Sequence, residues 1–196
     1  MNKLKYLLSN PKKFHHLEVG KVLHEHEKLT KLVCGSPWFK LKDKKIPKNL
    51  IESNFFINAL RHFIPRINKL KFLHDYLNIL NSKNIDLQAS KFINNADVFL
   101  SLSTTGLETG KLMKKQNKIY ICERSSSHII FQNKILEEEY KNLGLDYLPI
   151  DKWFIERELE EYENSDFILV PSKFVENSFI QNKVFKSKVI NFGSYE

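Results

Sequence analysis

Short, wholly apolar runs alternate with longer amphipathic stretches in this chain, and this alternation restricts the possible folds more than any other feature. The clearest apolar runs lie at 97–102, 118–122 and 166–170, and each is followed by polar residues, glycine or proline. A strand that is apolar on both faces has to be covered on both faces, as in parallel sheets. The intervening segments carry apolar residues at helical spacing. The sequence therefore predicts an α/β fold with a doubly wound, mainly parallel sheet.

The same reasoning assigns an element to most of the chain. Strands are predicted at 3–8, 32–35, 55–57, 97–102, 118–122, 166–170 and 188–192. Helices are predicted at 14–27, within 67–92, at 107–116, 129–142 and 151–163, and after Ser172 as N-cap. Ligands of such sheets bind outside the carboxyl ends of the strands. This rule singles out the loops at 9–16, 35–37, 103–106, 123–128 and 171–172.

Composition narrows the class of protein further. The 196 residues are 42% hydrophobic, which suits one globular domain, and 31 Lys plus Arg against 23 Asp plus Glu give a net charge of +8. We interpret the charge as a solvated lysine-rich surface, because arginines are few and no RNA-binding aromatic motif or zinc spacing occurs. No nucleic-acid partner is predicted, and contact with anionic lipid head groups stays open.

The cysteine pattern and the length of the apolar runs bear on where the protein is located. Cys34 and Cys122 stand far apart without a CxxC pair, which predicts free thiols in a reducing compartment. No apolar run reaches the ~18 residues of a membrane-spanning helix. We therefore predict a cytoplasmic protein, with peripheral contact at the inner face of the membrane as an open alternative.

The loop after the first predicted strand lacks the usual phosphate-binding glycines. Neither GxGxxG nor GxxxxGK[ST] occurs in the chain, which disfavours dinucleotide binding. The loop instead carries Lys12, Lys13, His15 and His16, which could assist an anion at the start of the helix. No carboxylate follows the two histidines at metal-ligand spacing, so no metal site is predicted.

The most chemically dense segment is 123–128. It places a carboxylate, a guanidinium, three hydroxyls and an imidazole directly after a buried strand, and sugars and phosphates need such directional donors and acceptors. These groups belong to Glu123, Arg124, Ser125, Ser126, Ser127 and His128. The alternative is that Ser126 or Ser127 caps the helix at 129–142. The serines lack the GxSxG elbow of serine hydrolases.

Two other polar segments allow both a structural and a functional interpretation. The loop at 103–106, which contains Thr104, can bind a substrate hydroxyl or cap the helix at 107–116. The glutamate-rich stretch 156–163 is interpreted as a solvated helix face, although its carboxylates could reach the edge of the sheet.

Several of these segments together resemble the N-terminal half of family 4 glycosyltransferases. The resemblance rests on FHHLE at 14–18, the loop 123–128, Gln132, EEEY at 137–140 and, above all, ELEEYENSDFILVPSKFV at 158–175. Enzymes of this family have the GT-B fold, in which two Rossmann-like domains face a cleft. The resemblance implies retaining transfer of a sugar from a nucleotide-sugar to a glycan or lipid-linked acceptor, without a metal or a cofactor.

The resemblance also implies roles for individual residues. Arg124 and His128 would act catalytically near the donor phosphate and the acceptor, where a positive or hydrogen-bonding group stabilises the departing diphosphate. The remaining residues expected to bind substrate are Phe14, His15, His16, Glu123, Ser125, Ser126, Ser127 and Thr104.

The resemblance covers one domain only. Residues 1–196 correspond to the acceptor-side domain, and the donor-binding domain of the family is absent from the sequence. We therefore expect half of a truncated or split transferase, nearly inactive alone and completed by a C-terminal-domain partner chain. The competing hypothesis is a non-catalytic Rossmann-like binding module whose basic surface contacts a membrane or a polyanion.

Overall fold

The computed structural model describes residues 4–12, 15–41, 45–65 and 68–193. Within these ranges the chain alternates between strands and helices. The strands are β1 (Tyr6–Asn10), β2 (Leu29–Cys34), β3 (Ile51–Ser53), β4 (Val98–Leu102), β5 (Ile119–Glu123), β6 (Phe167–Val170) and β7 (Val189–Asn191). The helices are α1 (His16–Glu25), α2 (Phe56–His62), α3 (Lys71–Ser90), α4 (Leu107–Lys115), α5 (Ile129–Asn142), α6 (Lys152–Asn164) and α7 (Lys173–Gln181).

All the strands join one sheet in the order β3-β2-β1-β4-β5-β6-β7, and every neighbouring pair is parallel. The predicted doubly wound, Rossmann-like α/β fold is therefore confirmed. The strand order reverses between β1 and β4, and the crevice at such a switch point is the usual ligand site of these sheets. The loops that follow β1, β4 and β5 border this point.

The hydrophobic core lies in two clusters on opposite faces of the sheet. Leu7 and Phe99 belong to one cluster, whereas their chain neighbours Leu8 and Leu100 belong to the other. This separation follows from the alternation of side chains along a strand. β4 is buried along its whole length, as the apolar run at 97–102 predicted.

The predicted strand at 55–57 is wrong. The third strand is Ile51–Ser53, which pairs with β2, and a helix begins at Phe56. Aromatic residues favour strands, but Phe56 is 67% exposed and does not pack into the sheet. The predicted loop at 9–16 begins too early, because Ser9 and Asn10 still belong to β1 and are fully buried.

The two cysteines are free, and both are buried in strands, Cys34 in β2 and Cys122 in β5. Within the described ranges, none of the helices is long and apolar enough to cross a membrane.

We expect Gly110→Ala to destabilise the fold by about 1–3 kcal/mol, the usual cost of overpacking a core. A Cβ at this position in α4 would lie 2.4 Å from two ring carbons of Tyr120, which is fully buried and stacks on Phe99. Urea denaturation measures the loss. Lys115→Ala, at an exposed position of the same helix, is the control, and equal midpoints for the two variants would contradict this account.

Candidate functional site

Two histidines and one glutamate meet at the carboxyl edge of the sheet. Glu123 is the last residue of β5, and His16 is the first residue of α1, which follows β1. His15 Nε2 lies 2.6 Å from Glu123 Oε1, and His16 Nε2 lies 2.7 Å from Glu123 Oε2. The Glu123 and His16 side chains are buried, but that of His15 is 43% exposed. One imidazole of the cluster can therefore reach a ligand in the crevice.

The cluster holds Glu123 in its ionised form. Burial alone would raise the pKa of this carboxyl, but hydrogen bonds from His15 and His16 and their charge lower it to about 2. The hydrogen bond to Glu123 also raises the pKa of His15 above its usual 6.5, against the opposing effect of burial. His15 Nε2–H thus donates to the carboxylate and leaves Nδ1 as its second ring nitrogen.

These shifts define the pH range in which the cluster stabilises the fold. A lowered carboxyl pKa stabilises fully above the ordinary value of 4.5, and this stabilisation is lost as the pH falls towards about 2. A raised histidine pKa stabilises fully below 6.5, and this stabilisation is lost as the pH rises through the raised value. The two contributions are therefore both complete between pH 4.5 and 6.5.

The same three side chains are the group that could hold a metal ion among the described residues. Their ligand atoms lie within 4.8 Å of one another. Two histidines and a carboxylate form a common ligand set for divalent transition metals. The distances of 2.6 and 2.7 Å are those of direct hydrogen bonds between imidazole and carboxylate. The sequence predicts no metal site because no carboxylate follows the two histidines at metal-ligand spacing, but Glu123, at the end of β5, lies beside them in the fold.

Arg124 is held by partners on three sides. Its Nη2 donates to Gln132 Oε1 at 2.7 Å, and its Nε lies 3.1 Å from Glu158 Oε2 and donates to the Ser127 carbonyl at 3.3 Å. Glu158 is buried and also accepts from the Tyr162 hydroxyl at 2.5 Å. Arg124 thereby links the end of β5 to α5 and α6, so its guanidinium is fixed in place.

The His128 imidazole is packed among aromatic rings. The ring centroids of Tyr162 and Phe179 lie 5.2 and 5.1 Å from it, and its side chain lines a groove that also contains Leu159 and Phe185. Burial and the positive charge of Arg124 lower the pKa of His128 to about 4. His128 is therefore neutral at pH 7.

The structure brings only part of the serine loop to the cluster. Ser125 is exposed and donates to Glu123 Oε1 at 3.4 Å, whereas Ser126 is half-buried and Ser127 is buried. The alternative that Ser126 or Ser127 caps α5 is wrong, because His128 is the N-cap residue and no side chain caps it. Phe14 lies outside the described residues.

Thr104 lies in the loop after β4, and side chains of α6 hold this loop through hydrogen bonds. Its backbone has φ +77°, and its N–H donates to Glu161 Oε2 at 2.5 Å. Gly106 N–H donates to Glu161 Oε1 at 3.0 Å, and Arg157 Nε donates to the Thr104 carbonyl at 2.7 Å. Arg157 also bonds Asp86 at 2.5 Å. The loop after β4 is thus held rigid at the switch point.

Three predictions about these segments need correction. The N-cap residue of α4 is Gly106, at the end of the loop 103–106, but no side chain of this loop caps the helix. Asp86 instead accepts from the backbone N–H groups of Glu108 and Thr109, each at 2.9 Å. The solvated interpretation of 156–163 fails for Glu158 and Glu161, which are buried. The apolar spacing within the helix at 151–163 also predicts that Leu159 faces inwards, but this residue is 37% exposed.

Sequence reasoning missed the buried ionic network that surrounds the loop. Its members are Asp86, Arg157, Glu158 and Glu161. A signal was present, because Glu158 lies three residues before Glu161 and four before the buried Tyr162, and this i, i+3, i+4 spacing places all three on one side of the helix. Charged residues on an apolar face indicate buried pairs.

No family model and no curated protein sequence matches this chain. Solved structures share its fold at low sequence identity. TcCGT1 in complex with UDP superposes with a TM-score of 0.58 at 8% identity, over 98% of this chain and 51% of that one. CalG4, the calicheamicin glycosyltransferase, gives 0.56 at 12% identity, over 99% and 53%. UDP-GlcNAc 2-epimerase from Neisseria meningitidis bound to UDP-GlcNAc gives 0.52 at 11%, over 96% and 46%.

The fold is that of one Rossmann-like half of the GT-B architecture. The chain spans about half the length of these solved structures. At such low identity the comparison establishes the fold alone.

Above pH 8, where Glu161 is ionised because its raised pKa is about 8, Glu161→Gln should lower the free energy of unfolding by about 1–3 kcal/mol. The amide then replaces an acceptor oxygen with a donor that faces a backbone N–H. Glu160→Gln is the control, since Glu160 is 54% exposed and pairs with Lys111. Urea denaturation compares the two variants. Similar midpoints for both would show that Glu161 does not fasten the loop.

The His15–Glu123 contact is tested by NMR titration. In Glu123→Gln the pKa of His15 should fall from its raised value to 6.5 or below, because the charge that stabilises the imidazolium is gone. The imidazole signals of His26, beyond the other end of α1, serve as the control and should be the same in both proteins. An unchanged His15 titration would refute the contact.

Proposed function

We propose that this chain is the acceptor-side half of a GT-B glycosyltransferase, which transfers a sugar from a nucleotide-sugar to a hydroxyl of an acceptor. The observation that carries the proposal is the half-exposed His15 paired with the buried Glu123, beside the switch point of the sheet. Support comes from the shared fold, since the similar structures include proteins solved with UDP and UDP-GlcNAc.

His15 and Glu123 form an acid–base pair suited to this reaction. His15 Nδ1 takes the proton of the acceptor hydroxyl while that oxygen forms a bond to the anomeric carbon. The bond from the anomeric carbon to the diphosphate breaks, and its electron pair leaves with the diphosphate. The Glu123 carboxylate stabilises the imidazolium that forms. His16, which is fully buried, holds the second carboxylate oxygen and so fixes the orientation of Glu123.

The anomeric configuration of the product distinguishes two versions of this function. A base that acts on the acceptor fits direct displacement, which inverts the anomeric centre, whereas the family 4 resemblance implies retention. In both versions, the Arg124 guanidinium is held at the end of β5 by Glu158 and Gln132, and the donor site belongs to the other half of the architecture. Membership of family 4, the acceptor side and a C-terminal-domain partner are parts of this proposal.

The alternative function is a non-catalytic module that binds a membrane or a polyanion. The net charge of +8 favours it. Binding of anionic vesicles or of heparin by Arg124→Ala and His128→Ala proteins, without any binding of nucleotide-sugars or acceptors, would support this alternative over the transferase.

His15→Ala should reduce sugar transfer by about 10²–10⁴-fold, the usual contribution of a general base. Transfer is measured with nucleotide-sugars and acceptor pools, using the chain alone and together with the product of the adjoining reading frame. Glu123→Gln should also lower the rate, whereas His26→Ala, at an exposed position, should leave it unchanged. Full activity of His15→Ala would overturn the assigned role, and absence of transfer under every condition would overturn the function.

A further inference from the structure

Helix α2 has the reverse of the polarity that a helix on a globular domain usually shows. Asn58 faces inwards, since it is 8% exposed and its Nδ2 donates to the carbonyls of Pro11 and Gly35 at 2.9 and 2.8 Å. Phe56 and Leu60, by contrast, are 67% and 45% exposed. A surface helix normally turns its apolar stripe towards the core and its polar side towards water. The apolar stripe of α2 is instead turned towards solvent.

The exposed apolar stripe continues beyond α2. Phe56, Leu60 and Phe63 stand at i, i+4 and i+7, which places them on one side of the helical turns, and the Phe63 side chain is 86% exposed. Helix α3 contacts α2, and its first turns expose Phe72 and Tyr76 at i and i+4. We call these five side chains the α2–α3 face. Exposed apolar side chains grouped in this way mark an interaction surface.

The same part of the chain carries most of the positive charge. Between residues 35 and 76 the sequence has nine Lys and Arg against three Asp and Glu, so this stretch accounts for +6 of the net charge of +8. Lys45, Lys48 and Lys69 are exposed members of it. The field outside a protein depends on the net charge, from which the acidic residues of the stretch are already subtracted. This part of the molecule therefore attracts an anionic surface.

We propose that the α2–α3 face docks on a bilayer that contains anionic lipids. The exposed aromatic side chains enter the interfacial region, where aromatic rings are favoured. The lysines of the stretch 35–76 lie among the anionic head groups. The strength of such binding scales with the buried apolar area plus the electrostatic attraction to anionic lipids, and this part of the molecule supplies both contributions.

Two other occupants fit the α2–α3 face less well. A second copy of the chain would place the face against itself in a two-fold dimer, and the +6 of one stretch would then oppose the +6 of the other. A soluble polyanion such as heparin would neutralise the lysines but leave the aromatic side chains in water. An anionic bilayer removes the apolar side chains from water and neutralises the charge at the same time.

Membrane docking goes beyond the proposed transferase function and does not depend on it. The α2–α3 face contains neither His15 nor Glu123, so docking and sugar transfer would use different side chains. A transferase held on a bilayer in this way would meet lipid-linked acceptors at the surface that contains them.

Vesicle flotation tests the docking on the unmodified protein. We expect the chain to float with vesicles of phosphatidylcholine and phosphatidylglycerol in equal parts, and to bind pure phosphatidylcholine at least about tenfold more weakly, because the head groups then carry no net charge. Equal binding to both kinds of vesicle, or binding to neither, would overturn the proposal.

Matched aromatic variants locate the docking surface. Phe56→Ala with Phe63→Ala should weaken binding to the anionic vesicles by about tenfold or more, because two large apolar side chains no longer leave water. Phe174→Ala with Phe185→Ala removes the same side chains from positions that are 61% and 81% exposed outside the face, and should leave binding unchanged. Equal effects of the two double variants would contradict the assigned surface.

A matched set of lysine variants tests the electrostatic contribution. Replacing Lys45, Lys48 and Lys69 together by Gln should weaken binding to the anionic vesicles about tenfold, because charges close to the lipid surface contribute most. Replacing Lys115, Lys134 and Lys152 by Gln removes the same charge from exposed positions outside the stretch 35–76 and should have a much smaller effect. Equal losses in the two triple variants would mean that net charge alone drives binding, which would overturn the proposal.

A fluorescent label reports whether the face enters the bilayer. Cys34 and Cys122 are buried, so in Phe63→Cys an environment-sensitive thiol label attaches at position 63. Its emission should shift to the blue when anionic vesicles are added, whereas the same label in Phe185→Cys should not respond. An unchanged emission at position 63 on vesicles that bind the protein would overturn the docking geometry.

Two further results would assign the face to another occupant and so overturn the proposal. One is heparin binding as strong as vesicle binding, with neither weakened in the Phe56→Ala, Phe63→Ala variant. The other is a dimer that forms without lipid in analytical ultracentrifugation and dissociates in that variant.

The flotation assay and the transfer assay can fail separately. If the chain docks as described but transfers no sugar, the glycosyltransferase proposal fails and the docking surface stands. If sugar is transferred but the chain does not float with anionic vesicles, the docking proposal alone fails.

Discussion

All neighbouring strands of the sheet are parallel, and this constraint brings distant parts of the chain to one edge. The carboxyl ends of β1 and β5 lie on the same side although β4 runs between them. The residues that follow β1 can therefore reach the end of β5, which is how two histidines at the start of α1 meet Glu123. The parallel direction of the strands therefore determines where the candidate site lies, and no single sequence motif does.

Two buried glutamates at this edge have opposite electrostatic environments. Glu123 faces two imidazoles, and their hydrogen bonds keep it ionised with a pKa of about 2. Glu161 is fully buried, and burial raises its pKa to about 8 despite Arg157 and the backbone N–H groups of Gly106 and Thr104. The first carboxylate can stabilise a positive charge that appears during a reaction. The Glu161 carboxyl group instead holds the loop after β4 through the backbone N–H groups of Thr104 and Gly106. Two buried glutamates thus have different roles, one electrostatic and one structural.

The sequence predicted the fold class, most of the elements and the loops that line the crevice, because apolar strands and amphipathic helices are local patterns. It also singled out His15, His16 and Glu123, but only as separate candidates. Their pairing spans 107 residues of chain and depends on the order of the strands, which periodicity does not encode. The strand predicted at 55–57 failed because exposed aromatic residues mimic buried ones. The burial of Glu158 and Glu161 was missed because a charge is normally read as a sign of exposure.

The positions of the two cysteines in β2 and β5 determine how their thiols react. Burial raises the pKa of the Cys34 thiol to about 11, even though a backbone hydrogen bond with Ser36 acts in the other direction. Burial also raises the pKa of the Cys122 thiol well above its usual value. Only a thiolate reacts readily with alkylating reagents, so both side chains are inert while the sheet is closed. They flank the central β1–β4 pair, one on each side. Each thiol is thus a built-in reporter of transient opening in its own half of the sheet.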